Sequence, residues 1–413
     1  MTLPVRQAVI LCGGLGTRLS SLTRETPKPL LAVGGTPFLQ LLIQEITRYG
    51  IDRFLLLAAY KADQFQSFAA GLSEALGRSV AVEVAIEPDQ AGTGGALFHA
   101  RHLLDDAFYL FNGDTLLDAP LDALAQQLAR TGAVGCLALR HVDDASRYGV
   151  VEVDGARVVD FGRRSSPGEA AWINGGVAAF CRSLVDYLQP QGAFEEQALP
   201  LLARTGALSA VKTHGFFIDI GVPADFERGQ EAIPEYRRRP AVFFDQAVLF
   251  SNGLAQDEPA ANLEWMPGAI EAVALAAAKG FYVFMVMGRK DVDRLDRSPE
   301  VRNQLISRMN LAIARSGVRF DDRLRWGPMS NGSGLVHGDT IDGTWSDHSM
   351  VLSLMNDWPV HRARSVMMGN CDSDMRDADE AGVMQCLVSA GRRLDEAVIE
   401  VLEPEAIEPS IAI

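Results

Sequence analysis

Residues 8 to 30 read AVILCGGLGTRLSSLTRETPKPL, and no other stretch limits the fold as much. Ala8 to Cys12 is a short apolar run of the kind that forms a buried strand, and it drops straight into Gly13, Gly14, Leu15, Gly16, Thr17 and Arg18. Three glycines in four positions let the backbone approach a ligand closely and turn amide N–H groups toward it, while Arg18 and Lys28 bring positive charge to the same place. Phosphate is the anion such a turn suits. A tight structural turn is the plain alternative, and Arg18 with the Pro27, Lys28, Pro29 clamp favours the anion site. The glycine order is not G-x-G-x-x-G and no G-K-[ST] comes after it, so neither a Rossmann dinucleotide site nor a Walker ATPase is expected.

Beyond Pro29 the chain alternates in the βαβ rhythm of a mostly parallel sheet covered on both faces. Phe38 to Tyr49 and Ala62 to Leu76 carry helical spacing, Phe54 to Ala58 and Val80 to Ile86 read as strands, and Gly94 to Leu104 restarts a helix. Ligands on such sheets sit beyond the carboxyl ends of the strands. A second glycine loop, Gly92, Thr93, Gly94 and Gly95, opens that last helix; it suits closure over a base or ribose and equally a structural turn. The strand Ala107 to Phe111 runs into Asn112, Gly113, Asp114, and a second strand-end aspartate, Asp219, comes after Phe217 and Ile218. Two such carboxylates can share one hard cation that holds a triphosphate against the glycine turn. Between them lie Arg147, Tyr148, Gly149, then Asp160 to Arg164 (DFGRR), then Trp172 to Gly176 (WINGG), which suit a sugar pocket. Asn174 offers donor and acceptor to hydroxyls, and Arg163 and Arg164 offer forks to phosphate. Trp172 fits a place under a sugar ring or a core or lid role.

At 413 residues the chain exceeds the usual size of one core, so two domains are expected. A formal net charge of -15 argues against nucleic-acid binding, and no secretory leader or long apolar span is read, which points to a cytoplasmic protein with no membrane partner. The five cysteines show no C-x-x-C spacing, so zinc and disulfides are not expected, and Cys12 reads as a packing residue.

The run GGLGTRL…PKPL, with GTGGA, NGD, RYG, INGG and FIDIG after it in order, closely resembles the sugar-1-phosphate nucleotidylyltransferases over about residues 6 to 232, and within them the heptose 1-phosphate guanylyltransferase subgroup. The resemblance implies a mixed, mostly parallel α/β sheet and transfer of a nucleotidyl group from a nucleoside triphosphate, GTP favoured, to a sugar 1-phosphate. It implies that Leu11, Gly13, Gly14, Gly16 and Thr17 hold the nucleotide with Gly92, Thr93, Gly94 and Gly95. Arg18 and Lys28 would be catalytic, and Asp114 and Asp219 would hold Mg2+. Asn112, Tyr148, Gly149, Arg164, Asn174 and Gly175 would line the sugar phosphate. Many relatives carry Phe-x-Glu-Lys where this chain has Phe161, Gly162, Arg163, Arg164, so Arg164 replaces a point charge with a planar fork. The alternatives left open are a hexose 1-phosphate with another triphosphate, or a non-catalytic binder of nucleotide sugars. Homo-oligomer formation also stays open.

After a connector at 233–240, residues 241–390 read as a second Rossmann-like α/β domain, with 391–413 as a tail. Strands are expected at Ala241 to Phe244, Phe281 to Met287 and Ser365 to Met368, with a helix from Pro299 to Ser316. The stretch resembles the haloacid-dehalogenase-type phosphatases of the small histidinol-phosphate and heptose bisphosphate group. In that likeness Asp245 is the nucleophile and Asp374, beside Asp372, a cation ligand. The second aspartate of the expected D-x-D is Ala247, Met287 stands in place of a hydroxyl, and Trp345 and Ser346 in place of a lysine. A methyl group can neither protonate a leaving group nor activate water, so a degenerate second site without phosphatase activity is expected.

Overall fold

The computed structural model describes residues 5–14, 16–19, 22–88, 91–251, 263–287, 305, 308–309, 311–313, 315–323, 350–370 and 375–402. The chain divides into two units, Met1–Glu235 and Tyr236–Ile413.

The first unit opens with strands β1 (Gln7–Leu11), β2 (Arg53–Ala58), β3 (Ala81–Ile86) and β4 (Ala107–Asn112), separated by helices α1 (Phe38–Thr47), α2 (Ala62–Ala75) and α3 (Gly92–His99). Each helical crossover returns the chain in the same direction, and β3-β2-β1-β4 pair in parallel. The unit continues with β5 (Thr115–Leu117), α4 (Leu121–Thr131), β6 (Gly135–Val142), β7 (Val150–Asp154), β8 (Arg157–Arg163) and β9 (Ala171–Cys181). It closes with α5 (Phe194–Arg204), β10 (Leu208–Thr213), β11 (Phe217–Asp219) and α6 (Pro223–Arg237). The nine-stranded order is β3-β2-β1-β4-β9-β6-β10-β8-β7, with β9 also reaching β7.

The sheet is α/β and mixed, and most of its parallel pairs lie in one half. Beyond β4, only β6 and β10 run parallel, while β9 is antiparallel to β4, β6 and β7, and β8 to β7 and β10. The reason is connection length: the two residues between β7 and β8 can only close a hairpin. One core gathers Phe108, Leu110, Leu137 and Phe180 from the sheet with Leu97, Phe194, Leu199 and Leu202 from α3 and α5. Phe108 and Phe180 are both fully buried with ring centroids 6.2 Å apart, and each such burial stabilises by about 1.5–3 kcal/mol.

One short element lies outside this sheet. Strands β5 and β11 form a separate antiparallel ribbon with Asp219 opposite Thr115, and the Ile220 amide donates to the Asp114 carbonyl at 3.0 Å. Two carboxylates far apart in the chain are thereby seated side by side.

In the second unit β12 (Ala241–Asp245), β13 (Tyr282–Val286), β14 (Asp322–Arg323), β15 (Val366–Gly369) and β16 (Met384–Leu387) form a parallel sheet of order β14-β13-β12-β15-β16. Helices α7 (Gln246–Leu249), α8 (Ala269–Ala278), α9 (Met350–Asp357), α10 (Arg376–Ala381) and α11 (Leu394–Leu402) complete a Rossmann-like layer. The division between the units at Glu235 and Tyr236 falls inside the expected connector, whose residues 233–237 are helical as the end of α6. One expectation is corrected. Residues 394–402 are no tail: Leu394, Ala397 and Val398 are buried in the same core as Val242 and Phe284. The helix expected at 299–316 and the positions of Trp345, Ser346, Asp372 and Asp374 lie wholly or largely outside the described residues. Among those described, no helix is long and apolar enough to cross a membrane.

Candidate active site

Strand β1 ends in the glycine turn, and the turn is pinned from below. The Gly113 amide donates to the Leu11 carbonyl at 3.0 Å and the Cys12 amide to the Leu57 carbonyl at 2.8 Å, so Leu11 and Cys12 form the floor of the turn. Burial, with the Asp114 charge added, pushes the Cys12 thiol far above its ordinary value, which rules out a thiolate at neutral pH. Gly16 adopts φ +62°, and its carbonyl accepts from Leu19 N and Thr23 Oγ1. Gly14, Thr17 and Arg18 are exposed beside it.

Lys28 is 7% exposed, in a short helical turn between Pro27 and Pro29, and its ammonium is paired with Asp114. Asp219 accepts the Gly221 amide through Oδ1 at 2.7 Å, while its Oδ2 faces Arg147 at 3.7 Å. Burial raises the Asp219 proton affinity and the Asp114 charge adds to it; Lys28, the Gly221 amide and Arg147 oppose the rise. Two adjoining carboxylates are a hard-oxygen donor set, which suits a cation that takes one or two protein carboxylates and fills its shell from substrate phosphate and water. Among the described residues no group of three His, Cys, Asp or Glu is arranged around one metal position.

Asp114 and Asp219 open onto a cleft of about 520 Å³ that is also lined by Arg18, Asn112, Tyr148, Gly149, Arg164, Asn174 and Gly175. Register slips in β9 between Asn174 and Ala178, and this irregularity leaves Asn174 at the cleft wall with its Oδ1 accepting the Gly176 amide at 3.2 Å. The Tyr148 hydroxyl is pushed up to about 12 by burial and by the Asp219 charge, so it is a donor at neutral pH. Arg163 is held by Glu152 and Glu169, while Arg164 is exposed and makes no ion pair among the described residues. Trp172 does not line the cleft; it packs edge-on between His141 and His214, each at 5.3 Å, with Lys212 over its face.

The second glycine loop is tied back to its own chain. Gly94 and Gly95 are buried and both amides point at the Gly192 carbonyl, at 2.9 and 3.4 Å. Thr93 Oγ1 donates to Glu195 and accepts from the Phe194 amide. These donors are therefore spent on the chain itself, and only Gly92 of the three glycines is exposed.

Two side chains beside the glycine turn and the cleft are not among the site residues that the resemblance implies. Glu87, half-buried at the end of β3, accepts the Ala91 amide at 3.0 Å through Oε2, and its Oε1 lies so close over Gly13 that a Cβ there would stand 2.2 Å away. Burial raises its proton affinity, against the Ala91 amide and His99. A glutamate just before the glycine loop and next to a proline was the available signal. Arg147 is the other, within the RYG run, hydrogen-bonded to Asp225 and 3.7 Å from Asp219.

The family model described as nucleotidyl transferase matches residues 7–235. The chain belongs to the nucleotidyl transferase family. Within it, the D-glycero-alpha-D-manno-heptose 1-phosphate guanylyltransferase of Campylobacter jejuni is 32% identical over 222 residues, covering 53% of this chain and 96% of the relative. The mannose-1-phosphate guanylyltransferase catalytic subunit beta of Xenopus tropicalis is 30% identical over 229 residues, covering 54% of this chain and 63% of that relative. The crystal structure of HddC from Yersinia pseudotuberculosis complexed with GMP-PN shares 30% identity, covers 55% of this chain and 99% of its own, and superposes with a TM-score of 0.49. The first unit is thus a nucleotidyltransferase, and the cleft at Asp114 and Asp219 is its candidate active site.

Proposed function

We propose that the first unit transfers GMP from GTP to a sugar 1-phosphate, D-glycero-α-D-manno-heptose 1-phosphate in the first place and a hexose 1-phosphate such as mannose 1-phosphate as the alternative, and releases pyrophosphate. The base reading is carried by Glu87. Guanine presents two adjacent donors, N1–H and the N2 amino group, which one carboxylate accepts side by side. Uracil and thymine present a single donor between two carbonyl oxygens, and a carboxylate meets those oxygens with repulsion. The relatives from Campylobacter and Xenopus, both named for guanylyl transfer to a sugar 1-phosphate, support the same base and acceptor class.

An oxygen of the sugar phosphate attacks the α-phosphorus, and the bond from that phosphorus to the pyrophosphate oxygen breaks. The acceptor is already an oxyanion at neutral pH, so no strong general base is required; placement and charge compensation carry the reaction. Lys28 gives one donor to Asp114 and keeps two for the α-phosphate. Arg18, exposed beside the glycine turn, offers its fork to the triphosphate, and Asn174 orients sugar hydroxyls. Asp114 and Asp219 would hold Mg2+, which when bound neutralises triphosphate oxygens as a Lewis acid.

Pyrophosphate release from GTP, UTP, CTP and dTTP against heptose and mannose 1-phosphates tests the reading. GTP should lead in kcat/KM by about a hundredfold or more, as a site that pairs with specific donors discriminates. Glu87→Gln should shrink that lead. A pyrimidine triphosphate in front would overturn the base assignment, and no turnover with any pair would overturn the transfer. For the second unit we propose a haloacid-dehalogenase-like scaffold without hydrolytic chemistry, on the full burial of Asp245 and the methyl group at Ala247.

A further inference from the structure

Among the cations in and beside the cleft, Arg147 is held in a way the others are not. Lys28 pairs with Asp114 and turns its remaining donors to the α-phosphate, Arg163 is held by Glu152 and Glu169, and Arg18 and Arg164 are exposed without an ion pair among the described residues. Arg147 combines a firm anchor with a face left toward the cleft. Its Nη1 donates to Asp225 Oδ2 at 2.6 Å, whereas its Nη2 stands 3.7 Å from Asp219 Oδ2, beyond hydrogen-bond reach. Asp225 lies in the first turn of α6 and also takes Arg228 at 3.1 Å, so the anchor is itself held. The guanidinium sits 5.4 Å from the centroid of the Tyr148 ring, and its side chain keeps 39% exposure.

We propose that Arg147 binds the phosphate of the incoming sugar 1-phosphate, aimed there by Asp225. This rests on the proposed transferase activity and adds to it the residue that selects a phosphorylated sugar. A phosphate dianion entering this cleft meets the like charges of Asp114 and Asp219. A cation fixed on the Tyr148 side, beside Asp219, offsets that repulsion where the acceptor must lie. A guanidinium has five donors; one edge given to Asp225 leaves others for two phosphate oxygens in the planar fork geometry that a lysine lacks. Asp225 acts through Arg147 and is a positioning residue.

The test is initial-rate kinetics of the full-length chain and its Arg147→Gln, Arg147→Lys and Asp225→Asn variants. Titration calorimetry with D-mannose 1-phosphate and with unphosphorylated mannose, without divalent cation, accompanies it. Removing a hydrogen bond between charged groups should raise the sugar 1-phosphate KM and Kd about 10- to 100-fold in Arg147→Gln, with the GTP KM moved by less than about twofold. Binding of unphosphorylated mannose should not change. Arg147→Lys should fall between, and Asp225→Asn should move the same constants in the same direction by less. If Arg147→Gln does not fold, the Lys variant carries the test, since it keeps the charge and loses the fork. An unmoved sugar 1-phosphate KM and Kd, or an equal rise in the GTP KM, would overturn the assignment of Arg147 alone. A wild-type chain that neither binds nor turns over any sugar 1-phosphate would bring down the transferase reading, and this inference with it.

Discussion

Glu87 shows how one carboxylate can bear on base choice and on pH at once. Its burial favours the neutral acid, yet only the ionised form accepts from both guanine donors. GTP affinity should therefore fall as pH drops through a pKa above the ordinary glutamate value of about 4.3, at a pH where an exposed glutamate would still be charged. The stability effect has the opposite sense. A carboxyl raised in the folded state contributes stability that is complete below its unfolded pKa and is lost as pH rises through the folded one. Glu87→Gln should accordingly melt at a higher temperature than wild type at pH 8, converge with it in acid, and show GTP binding that no longer depends on pH in that window. A wild-type Kd for GTP that does not weaken as pH falls to the ordinary glutamate value, or that weakens equally in Glu87→Gln, would reject the guanine-pairing role.

At the scale of elements, two glycine segments that look alike in sequence have different neighbours. A Cβ on Gly95 would stand 2.6 Å from Ala91 Cβ and 2.7 Å from the Pro190 carbonyl, and backbone on that side cannot give way cheaply. Gly95→Ala should cost about 1–3 kcal/mol by overpacking, read as a lowered Tm. At Gly13 the colliding atom is a side-chain oxygen, Glu87 Oε1, which can swing aside. Gly13→Ala should leave the Tm within a few degrees and raise the GTP KM; the reverse pattern would mean that the two loops have been assigned the wrong way round. Composition does not separate these cases, because both runs are Gly-rich and what distinguishes them is the tertiary neighbour. The strands were legible for the opposite reason: Phe54 to Ala58 is apolar at every position because both faces of β2 are covered. The ribbon of β5 and β11 was not, since three residues a side carry no pattern, and its register is set by the chain around it.

At the scale of the whole molecule, the second unit keeps the interior of its fold while its strand-end aspartate is shut away. Phe243, Tyr282, Phe284 and Trp358 form one buried aromatic group with centroids 5.1 to 5.9 Å apart. The helix Leu394–Leu402 adds to that core through Leu394, Ala397, Val398 and Leu402, a 3–4 spacing readable in the sequence but masked there by the Glu and Pro residues after it. Asp245 ends β12 with no exposed surface, and its Oδ1 accepts the Ala247 amide at 2.7 Å as the cap of α7. A carboxylate that attacks phosphorus needs an open line to it, and hydrolysis of the aspartyl-phosphate then needs an acid or base that Ala247 lacks. We therefore expect the full-length chain with Mg2+ to release no phosphate from heptose 1,7-bisphosphate above the uncatalysed background. Ala247→Asp alone should not change that, because a new carboxylate restores proton transfer but does not uncover Asp245. Metal-dependent multiple turnover by the wild-type chain would sink the scaffold reading, and turnover by Ala247→Asp would show that Asp245 is reachable in solution despite its burial.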